Sequence, residues 1–388
     1  MDERGKRAAT RLTEGGRRKE WRGSLVNPPV ERASTILFDS VADMKGSRPG
    51  LGVYRYGLQG TATHWALAEA LTELELGAAG TALYSSGLAA ITTALLSVLR
   101  PGDDLLVPDN IYGPTRHFCD TFLRRFGVDA RYYDPMCGAG IAELVGDSTR
   151  AILLESPGSL TLEVQDVPAI CEVARARGIP TLFDNTWATP LLFPAMAAGV
   201  DISMLAATKY VGGHADVMLG ALTATAEHYD RIQHLGWDLG HSVSPDDAWL
   251  GSRGLRTMGV RLKQHEQSAL KIAEWLKGRA EVGLVLHPAL RDCPGHELWK
   301  RDFKGASGLF SFELKGADAA TRAVFVDSLE LFGIGYSWGG YESLAIPIEP
   351  YRTISKTPAQ NLIRLHAGLE DPDDLIADLT AAFAKMAR

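Results

Sequence analysis

Ile202-Ser-Met-Leu-Ala-Ala-Thr-Lys-Tyr-Val-Gly-Gly-His214 opens as an apolar run with the composition of a buried strand. It ends in Thr208-Lys209, with a glycine turn directly behind. A lysine so placed stands where a sheet edge opens into a crevice, the usual ligand position of an α/β fold. Burial disfavours the charged ammonium, and a neutral amine is a nucleophile toward an aldehyde. About 25 residues upstream, a second apolar run, Ile179-Pro-Thr-Leu-Phe183, ends in Asp184-Asn-Thr-Trp187. Taken singly, the lysine reads as a strand cap and the aspartate as a helix cap. Together they are what pyridoxal phosphate requires: a lysine for the Schiff base, and an aspartate that keeps the ring nitrogen protonated and the ring electron-poor.

Working outward, the chain alternates between strand and helix. Trp65, Leu67, Ala68, Leu71 and Leu74 place a helix over Thr63–Leu76, and Thr81–Tyr84 reads as a short strand. Ser85-Ser86-Gly87 opens a helix that runs to Leu99. Strands follow at Leu105–Val107, Ala130–Tyr133, Ala151–Leu154 and Thr181–Phe183, with helices at Thr115–Phe126, at Ile141–Val145 and between Pro168 and Gly178. This alternation predicts an α/β fold with a mostly parallel sheet covered on both faces. Residues 1–50, with Pro28-Pro29, read as an extended N-terminal arm, 51–245 as the large domain and 246–388 as a smaller α+β C-terminal domain. In that last part a helix is expected over Arg256–Lys277, with Val260, Ala269, Ile272, Ala273 and Leu276 on its buried side. Leu309–Leu314 alternates like a half-exposed strand. A helix near Ala319–Leu331, a strand Leu362–His366 and an amphipathic helix Asp374–Met386 complete the expected order.

Composition narrows the function classes. The chain has 388 residues, 46% of them hydrophobic, with 40 Gly and 19 Pro, the make-up of a globular protein of one large or two ordinary domains. No run of 18 apolar residues occurs, which excludes a helical membrane span. Met1–Trp21 is basic but lacks an apolar h-region, so it reads as a solvated arm, or one ordered against a partner subunit, and not as a secretory signal. A net charge of -7 argues against nucleic acid as the main partner. Cys119, Cys137, Cys171 and Cys293 are scattered without metal-type spacing, so no metal is expected and the thiols suit a reduced, cytoplasmic protein.

Other residues extend the cofactor reading. At Ser85-Ser86-Gly87-Leu88, backbone N–H groups at a helix start favour an anion such as the cofactor's phosphate, though the same residues serve as ordinary capping. Thr208 offers a hydroxyl to that phosphate, or is simply a strand former. Tyr112, after the next strand, either stacks on the cofactor ring or belongs to the core. Arg364 lies in an apolar strand and requires an anion, either a substrate α-carboxylate or a buried Asp or Glu. Tyr336-Ser-Trp-Gly-Gly-Tyr-Glu-Ser343 suits a pocket-lining loop or a hairpin turn. His214 and His366 have no metal-type spacing and read as structural. No G-x-S-x-G, Walker loop, G-x-G-x-x-G or H-E-x-x-H occurs.

Ala207-Thr-Lys-Tyr-Val-Gly-Gly-His-Ala-Asp216 resembles the signature of the Cys/Met-metabolism family of pyridoxal-phosphate enzymes. Tyr56-Gly57 with Gly60-Thr61, Glu155-Ser-Pro-Gly158, Asp184–Trp187 and Ile363–Glu370 are similar as well, so the likeness runs from about Tyr56 to the C-terminus. Within the family, Ser337–Leu344 and Ser252–Arg261 look most like the bacterial cystathionine β-lyases; Trp338 stands where γ-enzymes usually have a smaller aliphatic residue. The resemblance implies a fold-type I, aspartate-aminotransferase-like subunit in a homotetramer of two tight dimers. It implies that Lys209 carries the cofactor, Asp184 pairs with the ring nitrogen and Tyr112 stacks on the ring. Gly87, Leu88 and Thr208 would hold the phosphate, with Tyr56 reaching it from the neighbouring subunit. Arg364 and Ser337 would hold the substrate carboxylate, with Trp338 and Asn185 also at the substrate; Lys209, Tyr112 and Tyr56 form the expected catalytic set. Two positions depart from the family pattern: Leu58 replaces a phosphate-binding arginine, and Ala206 replaces a frequent serine. The expected reaction is β-elimination from a thioether such as cystathionine, with Lys209 removing the α-proton. The alternatives are γ-chemistry on the same scaffold and a cofactor-binding regulatory protein with little turnover.

Overall fold

β-Branched and aliphatic runs bounded by Gly, Pro and Asp set the strands. The computed structural model describes residues 5–386. Seven strands form one sheet: β1 (Gly80–Tyr84), β2 (Asp104–Pro108), β3 (Asp129–Tyr133), β4 (Thr149–Glu155), β5 (Thr181–Asp184), β6 (Ile202–Leu205) and β7 (Gly220–Ala224). Their order is β1-β7-β6-β5-β4-β2-β3. β3, β2, β4, β5 and β6 run parallel, and β7 lies antiparallel to both β6 and β1. The fold is therefore α/β with a mostly parallel sheet. Its central strands carry apolar side chains on both faces because both are covered: Leu153 and Leu182 lie in one core layer, and Ile152, Leu154 and Phe183 in the other.

A second sheet of four antiparallel strands has the order β10-β11-β9-β8, with β8 at Val282–Leu286, β9 at Leu309–Leu314, β10 at Leu344–Ile348 and β11 at Leu362–His366. Joining the two sheets is a 33-residue helix, Pro245–Lys277, started by the Ser244 side chain, which accepts the Asp246 N–H, and by a proline in its first turn. It begins 11 residues before the expected start at Arg256. Its buried stripe runs through Met258, Leu262, His265, Ala269, Ile272 and Leu276, a spacing of three and four. Val260, expected inside, is 71% exposed because it falls out of that phase.

Other expectations are corrected by packing. β9 is not half-exposed: Phe310, Phe312 and Leu314 face the small sheet's own core, while Leu309 and Ser311 are covered by the large one, Ser311 Oγ donating to Leu160 O at 2.7 Å. The Ile141–Val145 helix is a 3₁₀ segment, Gly138–Glu143, begun between glycines. The helix expected from Thr115 begins at Gly113 and passes into a π-helical turn at Cys119–Leu123. The arm is partly helical, not extended. Ala8–Glu14 buries Leu12, whose carbonyl accepts Arg256 Nη1 at 2.7 Å, and Trp21 sits 6.4 Å from Trp65. Met1–Arg4 of the expected arm lie outside the described residues.

The long helix also braces the turn after β6. Gly254 packs against the Val211 and Gly212 carbonyl oxygens, where an added Cβ would sit 2.2 Å from each. Two turns on, Arg261 Nη2 donates to Tyr210 O at 2.7 Å. Gly254→Ala is therefore expected to destabilise the cofactor-free protein by about 1–3 kcal/mol, as overpacking does. Val260→Ala should stay within about 0.5 kcal/mol, as exposed substitutions do. Equal urea midpoints for the two variants would contradict this account of the brace.

Candidate active site

β6 stops at Leu205 because the next N–H leaves the ladder: Ala206 N donates to Thr186 Oγ1 at 2.9 Å. Thr208 N then turns to Leu219 O at 3.0 Å, and the glycines close the turn through Gly212 N to Ala207 O and Gly213 N to Lys209 O, both at 2.8 Å. Gly339, at φ +87°, lies directly on this backbone; an added Cβ would be 3.0 Å from Lys209 C and from Tyr210 N. His366 beneath it accepts the Gly339 N–H through Nε2, while its Nδ1 lies 3.1 Å from Glu342 O. Those two contacts require neutral imidazole, and burial keeps His366 well below the usual histidine range.

The Lys209 backbone is thus gripped on two sides and its amine projects into the crevice. Nζ donates to Ser337 Oγ at 2.5 Å and lies 5.3 Å from the centre of the Trp338 ring. Burial, helped by the Arg364 charge and opposed by Asp184, lowers its pKa to about 8. Asp184 closes β5, in register with Met204 of β6 and Glu155 of β4. Its Oδ1 accepts the Thr186 N–H at 3.0 Å. Burial raises its pKa to about 6 against the pull of Thr186 and Lys209. Thr186 therefore ties the two chemical residues together: its N–H serves Asp184 and its hydroxyl oxygen the turn before Lys209.

Across the crevice, Arg364 of β11 donates through Nη2 to Ser337 O at 2.9 Å. Among the described residues no carboxylate pairs with it, so the buried ion pair is not what holds it. Ser337, at φ +84°, is the joint between the two cations: its hydroxyl serves Lys209 and its carbonyl Arg364. Tyr112 caps the helix Gly113–Phe118 with its ring half-exposed, and its phenol is held above the ordinary range by burial and by Asp184 and Glu155.

The cofactor's donor set is tested at the start of helix Gly87–Val98. Ser86 Oγ accepts the Ala89 N–H at 3.1 Å, which leaves the Gly87 and Leu88 N–H groups without intrahelical partners and free for an anion. An added Cβ at Gly87 would meet Ala206 Cβ at 2.5 Å, so only glycine permits this approach to the lysine turn. Amine, carboxyl, ring and anion cradle fit pyridoxal phosphate. The Thr208 hydroxyl is committed otherwise, accepting Leu219 N at 2.8 Å and donating to Leu219 O at 3.2 Å, so serving a phosphate requires it to redirect its hydrogen.

One expected residue is not brought to this group, and a second is assigned to the site of another copy. Asn185, read as touching substrate, is fully buried and directs Nδ2 to Phe193 O at 2.9 Å and toward Glu75 Oε1 at 3.5 Å. Tyr56 is 51% exposed on the arm side and bridges to Thr35. Conversely, the sequence reading gives Glu155 no role, although a carboxyl ending the apolar run Ala151–Leu154 is a visible signal. Its Oε2 accepts the Tyr112 N–H at 2.8 Å.

Comparison with known proteins gives a family model, "Cys/Met metabolism PLP-dependent enzyme", matching residues 9–384. A cystathionine β-lyase of Escherichia coli is 43% identical over 393 residues, covering 98% of this chain and 99% of that one. One of Haemophilus influenzae is 42% identical and covers 98% of each. A crystal structure of cystathionine γ-synthase from Xanthomonas oryzae in complex with cystathionine superposes with a TM-score of 0.90 at 34% identity, over 98% of this chain and 99% of that one.

The Lys209 amine is neutral above about pH 8. Covalent uptake of pyridoxal phosphate by the cofactor-free protein should then accelerate about tenfold per pH unit below that point and level off above it. Arg364→Met removes a cation that lowers the lysine's pKa, so the break should move upward. Stopped-flow absorbance measures both; a rate independent of pH would contradict the assignment of Lys209.

Proposed function

The chain belongs to the Cys/Met-metabolism family of pyridoxal-phosphate-dependent enzymes, and from that premise we propose that it is a carbon–sulfur β-lyase, splitting L-cystathionine with water into homocysteine, pyruvate and ammonia. The observation that carries this reading is the placement of the Lys209 amine between Asp184 and the Ser337–Arg364 pair.

Bound there, pyridoxal phosphate supplies an electron-accepting ring that stabilises negative charge on the substrate's α-carbon. Lys209 would hold it covalently and Asp184 would pair with its ring nitrogen. Tyr112 would lie on its face, and Gly87, Leu88 and Thr208 would receive its phosphate. The Arg364 guanidinium grips the substrate α-carboxylate through two parallel hydrogen bonds, with Ser337 beside it. The Lys209 Nζ, once free, would take the α-proton; a pKa near 8 suits it to do so close to neutral pH. The departing sulfur receives a proton from Lys209 or from Tyr112, whose phenol burial keeps protonated. Trp338, beside Lys209, narrows the pocket on the side where γ-enzymes usually have a smaller residue, and relatives at 42–43% identity carry the β-lyase name.

The assembly is a homotetramer of two tight dimers, in which Tyr56 reaches the cofactor phosphate of a second copy. Supporting it, Leu25, Val26, Leu37, Val41 and Met44 leave an apolar surface exposed in the same N-terminal segment. The setting is the cytoplasm, in keeping with four free thiols. Among the described residues no helix is long and apolar enough to cross a membrane.

The test is product analysis with cofactor-saturated protein and L-cystathionine: pyruvate with homocysteine is expected. 2-Oxobutyrate with cysteine would move the protein to γ-chemistry, and the absence of any keto acid would point to another thioether or to a binding protein. Arg364→Ala should lower kcat/KM about 10–150-fold, the range for losing a hydrogen bond to a charged group. Lys209→Ala should cost at least about 10²–10⁴-fold, as loss of a general base does.

A further inference from the structure

One strand away from the lysine crevice, the end of β4 carries a buried carboxyl that the proposed reaction leaves unused. Glu155 is the register partner of Asp184 across the parallel pair β4–β5, and both residues are buried. Glu155 Oε2 accepts the Tyr112 N–H at 2.8 Å, and the Glu155 N–H donates to Gln165 Oε1 at 3.1 Å. Tyr112 is the first residue of a helix entry, so whatever holds its N–H also fixes the direction in which its ring leaves the backbone.

We propose that Glu155 is a positioning residue: as a neutral carboxylic acid beside Asp184, it fixes the Tyr112 backbone and so sets where the Tyr112 ring meets the cofactor. The inference rests on the reading of this crevice as a pyridoxal-phosphate site. Strands in a sheet lie only about 5 Å apart, and two buried carboxyls on register partners do not both ionise. The groups around them decide which keeps the proton. Asp184 faces the Lys209 amine and the Thr186 N–H. Glu155 faces Asp184, the Tyr112 N–H and the Ser159 backbone. Arg352, a cation whose charge bears on it, is already paired with Glu163 and Thr161, and the Arg364 charge bears on Tyr112. Burial, with the neighbouring Asp184 charge, pushes Glu155 well above the ordinary carboxyl range. The Lys209 charge thus favours ionisation of Asp184 and leaves the proton to Glu155, one of whose oxygens still accepts the Tyr112 N–H.

The test compares Glu155→Gln, which keeps an acceptor but cannot ionise, with Glu155→Ala, which removes it. Three quantities are read on the holoenzyme: cofactor dissociation constant, visible circular dichroism of the bound cofactor, and the pH midpoint of its lysine-bound absorbance. Glu155→Gln should match the wild type in all three. Glu155→Ala should weaken cofactor binding about 5–150-fold, since it strands the Tyr112 N–H, and should change the dichroism. A Glu155→Gln midpoint lowered by about one pH unit or more would show that the native side chain is ionised and overturn the proposal. Wild-type affinity and dichroism in Glu155→Ala would also overturn it, while leaving the lyase reading intact. A wild-type protein that binds no pyridoxal phosphate would overturn both.

Discussion

A primary amine held out of water between a carboxyl and a guanidinium is the constraint on which the rest of this structure depends. A buried lysine destabilises its own charge, and neighbouring Arg364 adds to that effect while Asp184 opposes it. The balance leaves Lys209 near pH 8 and Asp184 near pH 6, so one can release a proton while the other stays ionised. Solvating either group more fully would return its pKa toward the ordinary value and separate the two again. Everything that excludes water from this crevice is therefore part of the chemistry.

That exclusion is achieved by two sheets and not one. Lys209 and Asp184 come from the ends of β6 and β5; Ser337 and Arg364 come from the loop before β10 and from β11. The sheets meet where Gly339 lies on the Lys209 backbone and Ser337 bridges the two cations. The long helix Pro245–Lys277 links them covalently and braces the same turn from behind through Gly254 and Arg261. Stability and site geometry thus share contacts. A glycine at 254 or 339 is needed for backbone to touch backbone: Gly339 meets the Lys209–Tyr210 peptide, and Gly254 the Val211 and Gly212 carbonyls of the same turn.

Much of this was legible in the residue order, for identifiable reasons. Lys209 and Asp184 each follow an apolar run and precede a turn, and the strand-end position is a local property. Gly87 after Ser86 marks a helix start that can receive an anion, again from local backbone chemistry. The expectations that failed depended on neighbours distant in sequence. Val260 is apolar but out of phase with a stripe set by what the helix packs against. β9 alternates as though one face were wet, yet the large sheet covers that face. Asn185 follows Asp184 directly, and adjacent residues at a strand end face opposite ways, so it points to Glu75 in the core.

The sequence by itself determined the strand–helix alternation, the lysine–aspartate pair at strand ends, the anion-binding helix start and the family signature, because each is written in contiguous residues. Tertiary structure alone decided that Ser337 joins Lys209 to Arg364, that Arg364 has no carboxylate partner among the described residues, and that Glu155 stands beside Asp184 and holds Tyr112. These pairings bring together residues up to 128 positions apart. Their protonation states follow from burial and from which charges become neighbours, and neither exists before the two sheets close around the crevice.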